Sequence, residues 1–196
     1  MAKRLFDIVG AALAQVLLAP LLLAVALLIK LDSPGPVFFR QERVGRHGVP
    51  FRIHKFRTMR EGVAGPPLTV GEDSRITRSG RWLRRSRIDE LPQFIDVLQG
   101  SMSLVGPRPE VPRFVAHYPP DLKAQVLAVR PGITDPASLA HIDEAALLAG
   151  SADPERDYIE RILPHKLALQ AEYAAHATLG SDLGVLARTL RVLLSR

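Results

Sequence analysis

The stretch IVGAALAQVLLAPLLLAVALLI, Ile8–Ile29, is 22 residues without a charge, and Gln15 is its one strongly polar member. As a helix it would extend roughly 33 Å, close to the ~30 Å hydrocarbon core of a bilayer. It is the most apolar stretch in the chain, and its reading decides the architecture. A secretory signal peptide needs a small-residue cleavage site and a mature domain behind it. Here Lys30 and the turn Ser33-Pro34-Gly35-Pro36 follow directly, and a chain without cysteine does not suggest export. A straight transmembrane span fits on length. A helix bent at Pro20 that re-enters its own leaflet fits too, because a proline in mid-helix removes one backbone hydrogen bond and clashes with the preceding turn. Cations flank both ends, Lys3 and Arg4 before the run and Lys30, Arg40, Arg43 and Arg46 after it. Such flanks favour the cytoplasmic side, and only the re-entrant form keeps both there. Residues alone leave span and re-entrant helix level.

Outward from this run, the charge distribution is uneven. Residues 1–60 hold ten Lys/Arg and three Asp/Glu, a net +7, while residues 61–196 hold sixteen and seventeen, a net −1. At 196 residues the chain makes one domain of ordinary size. With 47% hydrophobic and 23% charged residues, neither disorder nor a coiled coil fits. Zero cysteine excludes a disulfide scaffold, a Cys-ligated zinc site, an iron–sulfur cluster and a cysteine nucleophile. Val37–Arg40 and Pro50–Lys55 read as short strands around the turn Gly45-Arg46-His47-Gly48. Gly62–Gly71 reads as a Gly/Pro-rich loop and Ser79–Ser86 as a short basic helix. Asp89 opens the clearest helix: Leu91, Phe94, Ile95 and Leu98 fall at i, i+3, i+4, i+7, with Asp89 as N-cap and Gly100 as stop. Met102–Pro109 is an irregular apolar stretch. Further helices are expected at Val111–His117, Pro120–Ala128, Asp143–Ala149, Asp153–Ala175 and Leu183–Ser195. In the last, Leu183, Leu186, Leu190, Leu193 and Leu194 recur at helical spacing between Arg188, Arg191 and Arg196, which suits either an interfacial amphipathic helix or a terminal core helix. The class is α+β and mostly helical, with a membrane helix over 1–32 and a cytoplasmic domain over 33–196.

Common nucleophile and phosphate motifs are absent: no G-x-S-x-G, S-x-x-K, P-loop or G-x-G-x-x-G occurs, and the six histidines show no metal-ligand spacing. What stands out is RWLRRSRIDE, Arg81–Glu90, four arginines running into a carboxylate pair. Asp89-Glu90 at a helix start can be simply a cap and a first-turn acid. Arg81, Arg84 and Arg85 share one helical face, however, and offer more positive charge than two carboxylates need. Such a face suits a diphosphate. A carboxylate can attack phosphorus, and a divalent metal and arginines then screen one anion from the other. Magnesium fits, since it needs only one or two carboxylates beside water and phosphate oxygens. LVGPRPE, Leu104–Glu110, holds Arg108 on a stiff backbone between Pro107 and Pro109, and KFRTM, Lys55–Met59, sets the cations Lys55 and Arg57 on one face if extended.

The apolar N-terminal segment, SPGPVFFRQERVG, KFRTM, TRSGRWLRRSRIDELPQFIDVLQGSMSLVGPRPE and RPGIT occur in one order over residues 3–134. That ordered set resembles the bacterial sugar transferases, monotopic phosphoglycosyl transferases acting on polyprenyl phosphate. The resemblance implies a re-entrant helix broken at Pro20, although the family break is often Ser-Pro and this chain has Ala19-Pro20. It implies Asp89 as nucleophile, Glu90 as ligand of Mg2+, Arg84 as a phosphate-binding arginine, and Pro107-Arg108-Pro109 near the uridine. Lys55, Arg57, Arg81, Arg85 and Arg130 complete the expected substrate-binding set. The implied reaction moves a sugar-1-phosphate from a UDP-sugar to undecaprenyl phosphate, releasing UMP, as a first membrane step of exopolysaccharide, O-antigen, capsule or glycoprotein glycan assembly. The implied location is the cytoplasmic face of the bacterial inner membrane, with the bilayer and the two substrates as partners, a homodimer as candidate assembly, and no nucleic acid. After RPGIT many members continue with Gly-Trp and a sugar-pocket motif; Asp135-Pro136-Ala137-Ser138 stands here instead. The competing reading is a membrane-anchored basic module for nucleic acid or anionic lipid, resting on the +7 of residues 1–60.

Overall fold

The computed structural model describes residues 1–63, 65 and 73–195, so most of the expected Gly62–Gly71 loop, and Arg196, lie outside the described residues. The fold is α+β and mostly helical. Helix α1 runs from Ala2 to Asp32 with Pro20 inside it. The helix therefore continues through Pro20 and is not divided into two elements there. α1 is long and apolar enough to cross a membrane. Its buried positions, Asp7, Ala11, Val25 and Ile29, lie on one face, since Asp7 and Val25 are five turns apart. Leu13, Val16, Leu17, Leu23, Leu27 and Leu31 point outward, each more than half exposed.

Both ends of α1 are fastened to the rest of the chain. At the start, Asp7 accepts from Ser103 Oγ at 2.9 and 3.0 Å and from the Leu104 N–H at 3.1 Å. Lys3 donates to the Val105 carbonyl at 3.0 Å and pairs with Asp182 at 2.5 Å, and Arg4 donates to the Val97 and Leu98 carbonyls. At the finish, Asp32 accepts from the Ser79 N–H and hydroxyl at 2.9 and 2.7 Å.

After the Ser-Pro-Gly-Pro turn the chain folds into a ribbon of two antiparallel pairs. β2 (Glu42–Val44) and β3 (Pro50–Arg52) form the inner hairpin, and β1 (Phe38–Phe39) pairs with β4 (Lys55–Phe56) outside it. α2 (Arg78–Arg85) starts at Thr77, whose side chain accepts the Gly80 N–H. α3 (Gln93–Gln99) ends on Gly100 in the left-handed region, which only glycine occupies without cost. The core-facing residues of α3 are Gln93, Asp96 and Val97. The apolar stripe Leu91, Phe94, Ile95 and Leu98 is half-buried to exposed, so the periodicity marks a helix but not its inward face.

The apolar stretch 102–109, expected to be irregular, contains a strand. β5 (Ser103–Val105) lies parallel to β6 (Gly132–Thr134), pairing Ser103 with Gly132 and Val105 with Thr134. Flanking bonds extend the ladder, from Ser103 N–H to Pro131 O at 2.8 Å and from Gly106 N–H to Thr134 O at 3.0 Å. The approach is so close that a Cβ on Gly132 would sit 2.0 Å from the Gly106 nitrogen.

Short helices α4 (Pro112–Val115), α5 (Pro120–Val126), α6 (Pro136–Ala140), α7 (Glu144–Leu148) and α8 (Pro154–Asp157) follow. One wide turn, Tyr158–Ile162, joins α8 to α9 (Leu163–His176), realising the single helix expected there. α10 (Leu179–Leu194) opens with a Thr178–Ser181 capping box. Its Asp182 and Val185 face the domain, while Leu183, Leu190 and Leu194 are exposed, so its leucine stripe is not a core face. Three apolar clusters among the described residues hold the fold. One packs α4, α5 and α9. The second joins Phe6 and Ala11 of α1 to Val97, Met102, Val105, Tyr173 and Val185. The third joins Val25 and Ile29 of α1 to Phe56 and Leu83.

Candidate active site

The site is built where β4, α2 and the Pro107–Pro109 segment converge. Strand alternation in β4 turns Phe56 into the core and leaves Lys55 half-buried. α2 ends at Arg85, and Arg87 adopts φ 58°, ψ 12°, left-handed and uncommon for a side chain of this size. That reversal starts a single tight turn, Ile88–Glu90, in which Asp89 and Glu90 are both buried. Pro92 has no N–H to continue the turn, so α3 begins only at Gln93. Asp89 is consequently not the helix cap its position suggested: its side chain caps nothing.

Asp89 Oδ2 faces Lys55 Nζ at 3.0 Å, and Asp89 Oδ1 is buried with no hydrogen-bond partner among the described residues. Glu90 has the opposite environment. Arg108 grips both of its oxygens, NH1 to Oε2 at 3.0 Å and NH2 to Oε1, while Lys55 stands 3.3 Å and Arg87 4.0 Å from Oε1. Burial would raise the Glu90 carboxyl, but Arg108, Lys55 and Arg87 together hold it well below the usual range. Burial, with Glu90 alongside, pushes the Asp89 carboxyl up against the pull of Lys55 and Arg84. Two neighbouring carboxylates thus differ. One is locked ionised in a cationic clamp; the other is more basic and keeps an oxygen free.

Other expected residues are distributed less uniformly. Arg84 is half-buried and near enough to act on Asp89. Arg81 and Arg85 are exposed, and their side chains make no hydrogen bond or ion pair among the described residues. Arg57 is buried and serves elsewhere. Its nitrogens donate to Ser33 Oγ and to the Ser33, Pro34 and Pro36 carbonyls at 2.6–2.9 Å, locking the turn that follows α1. Arg130 donates to the Gly100 carbonyl at 2.9 Å. Pro107 and Pro109 are buried, and Arg108 between them holds Glu90 rather than standing free for a base. Arg87 was not among the expected residues. The only signal for it was an arginine directly before Ile-Asp-Glu, and its role depends on a backbone reversal that sequence does not announce. Among the described residues no three metal-ligating side chains converge.

These features sit in a recognisable frame, because the bacterial sugar transferase family matches the chain over residues 1–196. The chain belongs to the bacterial sugar transferases. This sugar transferase is 42% identical over 198 residues to a UDP-glucose:undecaprenyl-phosphate glucose-1-phosphate transferase of Caulobacter vibrioides, covering 98% of this chain and 70% of that relative. It is 41% identical over 197 residues to a UDP-N-acetylgalactosamine-undecaprenyl-phosphate N-acetylgalactosaminephosphotransferase of Aeromonas hydrophila, covering 98% of this chain but only 44% of the relative. Over 109 residues, 54% of each chain, it is 55% identical to an exopolysaccharide production protein of Rhizobium leguminosarum. The alternative of a basic binding module finds no support. The transferase spends eight of the ten cations of residues 1–60 internally: Lys3, Arg4, Lys30, Arg40, Arg43, Arg46, Lys55 and Arg57 all bond within the fold.

Proposed function

We propose that this bacterial sugar transferase moves a sugar-1-phosphate from a UDP-sugar to undecaprenyl phosphate by double displacement on Asp89, releasing UMP. The observation that carries the reading is the free, buried Oδ1 of Asp89 beside a clamped Glu90. The names of the relatives support the substrate class and differ in the sugar.

In the first step Asp89 Oδ1 attacks the phosphorus bearing the sugar. A P–O bond forms, the phosphoanhydride P–O bond breaks, and UMP leaves with the electron pair. In the second step the phosphate oxygen of the lipid attacks the same phosphorus and the Asp89 O–P bond breaks. This yields the polyprenyl diphospho-sugar and a regenerated carboxylate. Both substrate and product hold the sugar phosphate in an anhydride, and an acyl phosphate is itself activated, so no ATP is needed. A carboxylate with a raised pKa is a better nucleophile than an ordinary one, provided Lys55 keeps it ionised at neutral pH. Arg84, Arg81 and Arg85 supply positive charge for the diphosphate. Magnesium would be held by Glu90, its carboxylate shared with Arg108 and with Asp89 beside it, because the ion needs few protein ligands. Bound there, it would screen the repulsion between carboxylate and diphosphate.

The reading also covers topology. α1 has its two ends bonded to one charged domain, through Asp7 and through Asp32. Such a domain cannot sit in hydrocarbon, and a crossing helix must part its ends by ~30 Å of it. We therefore read α1 as a monotopic anchor in the cytoplasmic leaflet, re-entrant at Pro20. The exposed leucines of α10, with Arg188 and Arg191, lie at the interface.

Incubating detergent-purified enzyme with magnesium and a panel of UDP-sugars, without lipid, should trap one phospho-sugar on Asp89. Lipid should then release it with one UMP formed per turnover. A label mapping elsewhere sinks the mechanism. For topology, Ala2→Cys in this cysteine-free chain should resist an impermeant thiol reagent in intact cells; labelling would mean a span.

A further inference from the structure

A further buried carboxylate is tied to the first pair through Arg108. Asp135, the N-cap of α6, accepts the Ser138 N–H at Oδ1 (2.6 Å). Its Oδ2 accepts the Arg108 N–H at 3.0 Å and Gln170 Nε2 at 2.8 Å. Capping needs one acceptor, which Ser or Asn provides equally well. The second oxygen is committed to a particular backbone group. Pro107 and Pro109 have no N–H, so the Arg108 amide is the one backbone donor in that run, and Asp135 takes it. The Arg108 guanidinium then grips Glu90. The other end of the segment does the same for the second arginine: the Ile142 carbonyl accepts from Arg87 NH2 at 3.3 Å, and Arg87 NH1 lies 4.0 Å from Glu90. Residues 135–142 thus hold, one at each end, two arginines that pair with Glu90.

We infer that Asp135 is a positioning residue of the transferase, aiming Arg108 at Glu90 through the Arg108 amide. The inference rests on the reading of Asp89-Glu90 as the reaction centre. The requirement is for a carboxylate, not merely a cap. If Asn at 135 keeps its oxygen on the Ser138 N–H, its amide nitrogen confronts the Arg108 N–H, donor against donor. Gln170 can rotate its amide to adapt; a backbone N–H between two prolines cannot. Asp135 therefore links the chain after Gly132-Ile133-Thr134 to the carboxylate pair without touching substrate.

The test is Asp135→Asn, and Asp135→Ser, which keeps a good cap but is too short for Arg108. Both should lower kcat for UMP release roughly tenfold or more, the scale of one charge-linked hydrogen bond, with KM for the UDP-sugar changed less than about threefold. Each variant is also made on Glu90→Gln, and thermal midpoints of all proteins are compared in detergent. If Asp135 acts through Arg108 on Glu90, its effect on the midpoint shrinks in the Glu90→Gln background. Equal shifts in both backgrounds, with kcat unchanged, would reduce Asp135 to a helix cap and overturn the inference. The midpoint cycle needs no turnover. An absence of UMP release by the wild type would therefore sink the proposed function while leaving the Asp135 question decided on its own.

Discussion

Lys55 Nζ approaches Asp89 Oδ2 to 3.0 Å and makes the only ion pair of that carboxylate among the described residues. Burial pushes the Asp89 carboxyl up, and Lys55 is the largest influence favouring its ionised form. Lys55→Met should let the Asp89 carboxyl rise further, so less of the enzyme carries an ionised Asp89 at neutral pH. UMP release at pH 7 should fall by about tenfold or more. Raising the pH should recover part of the loss, and the acid limb of the rate profile should lie higher than in the wild type. An unchanged acid limb would disconnect Lys55 from Asp89.

Asp89→Asn separates chemistry from stability. A raised native pKa means that the ionised carboxylate weakens the fold at every pH above that value, and that the penalty fades as pH falls through it. The neutral amide removes the penalty, and Lys55 keeps Glu90 as partner. Activity should drop on the order of 10³-fold or more, while the melting temperature at pH 7 stays level or increases. A large loss of stability would return Asp89 to a structural role.

Glu110 shows the opposite sign. It accepts from Tyr158 Oη at 2.5 Å and pairs with Lys166 at 3.3 Å and Arg43 at 3.6 Å. Burial alone would raise its carboxyl, but Lys166, Arg43 and the Tyr158 hydroxyl hold it below the ordinary value. Its contribution is therefore fully present above about pH 4.5, the unfolded-state range, and disappears as pH falls through the lower native value. Glu110→Gln should cost about 2–4 kcal/mol at pH 7. Melts between pH 7 and pH 3 should show that difference shrinking on the acid side.

Gly132→Ala should be among the most damaging single-carbon changes in the molecule. The new Cβ would lie 2.0 Å from the Gly106 nitrogen and 2.5 Å from its oxygen, backbone atoms that cannot swing away. Separating β5 from β6 should cost about 3 kcal/mol or more and misplace Arg108 three residues beyond the strand. Gly184→Ala is the control. Among the described residues nothing beyond its own helix backbone lies within 4 Å of a Cβ there, and alanine within α10 should stabilise by about 0.5–1 kcal/mol. Chemical denaturation of both variants checks the pair.

How much of this was legible in the sequence depended on range. α1 was legible because 22 uncharged residues leave few alternatives. α2 and α10 were found within a few residues, since caps and periodicity are local. The pairing of β5 with β6 was not, because two three-residue strands some thirty positions apart carry no signal of their own. The carboxylate pair was picked out from its arginines. The assignment of Asp89 as a cap failed because Pro92 splits the turn from the helix. Arg57 and Arg130 read as substrate-binding residues because sequence shows charge but not the carbonyls to which they donate. Arg87 and Asp135 act through backbone geometry, which residue type alone does not reveal.

Because Phe6, Ala11, Val25 and Ile29 of α1 complete two of the three cores, the anchor is not a detachable handle. Cutting the chain after Asp32 to obtain a water-soluble enzyme would strip a wall from each of those cores. It would also take away Asp7, which pins the strand leading to Arg108. Solubilising this transferase therefore calls for repainting the outer positions Leu13, Val16, Leu17 and Leu23 with polar side chains, leaving the helix in place.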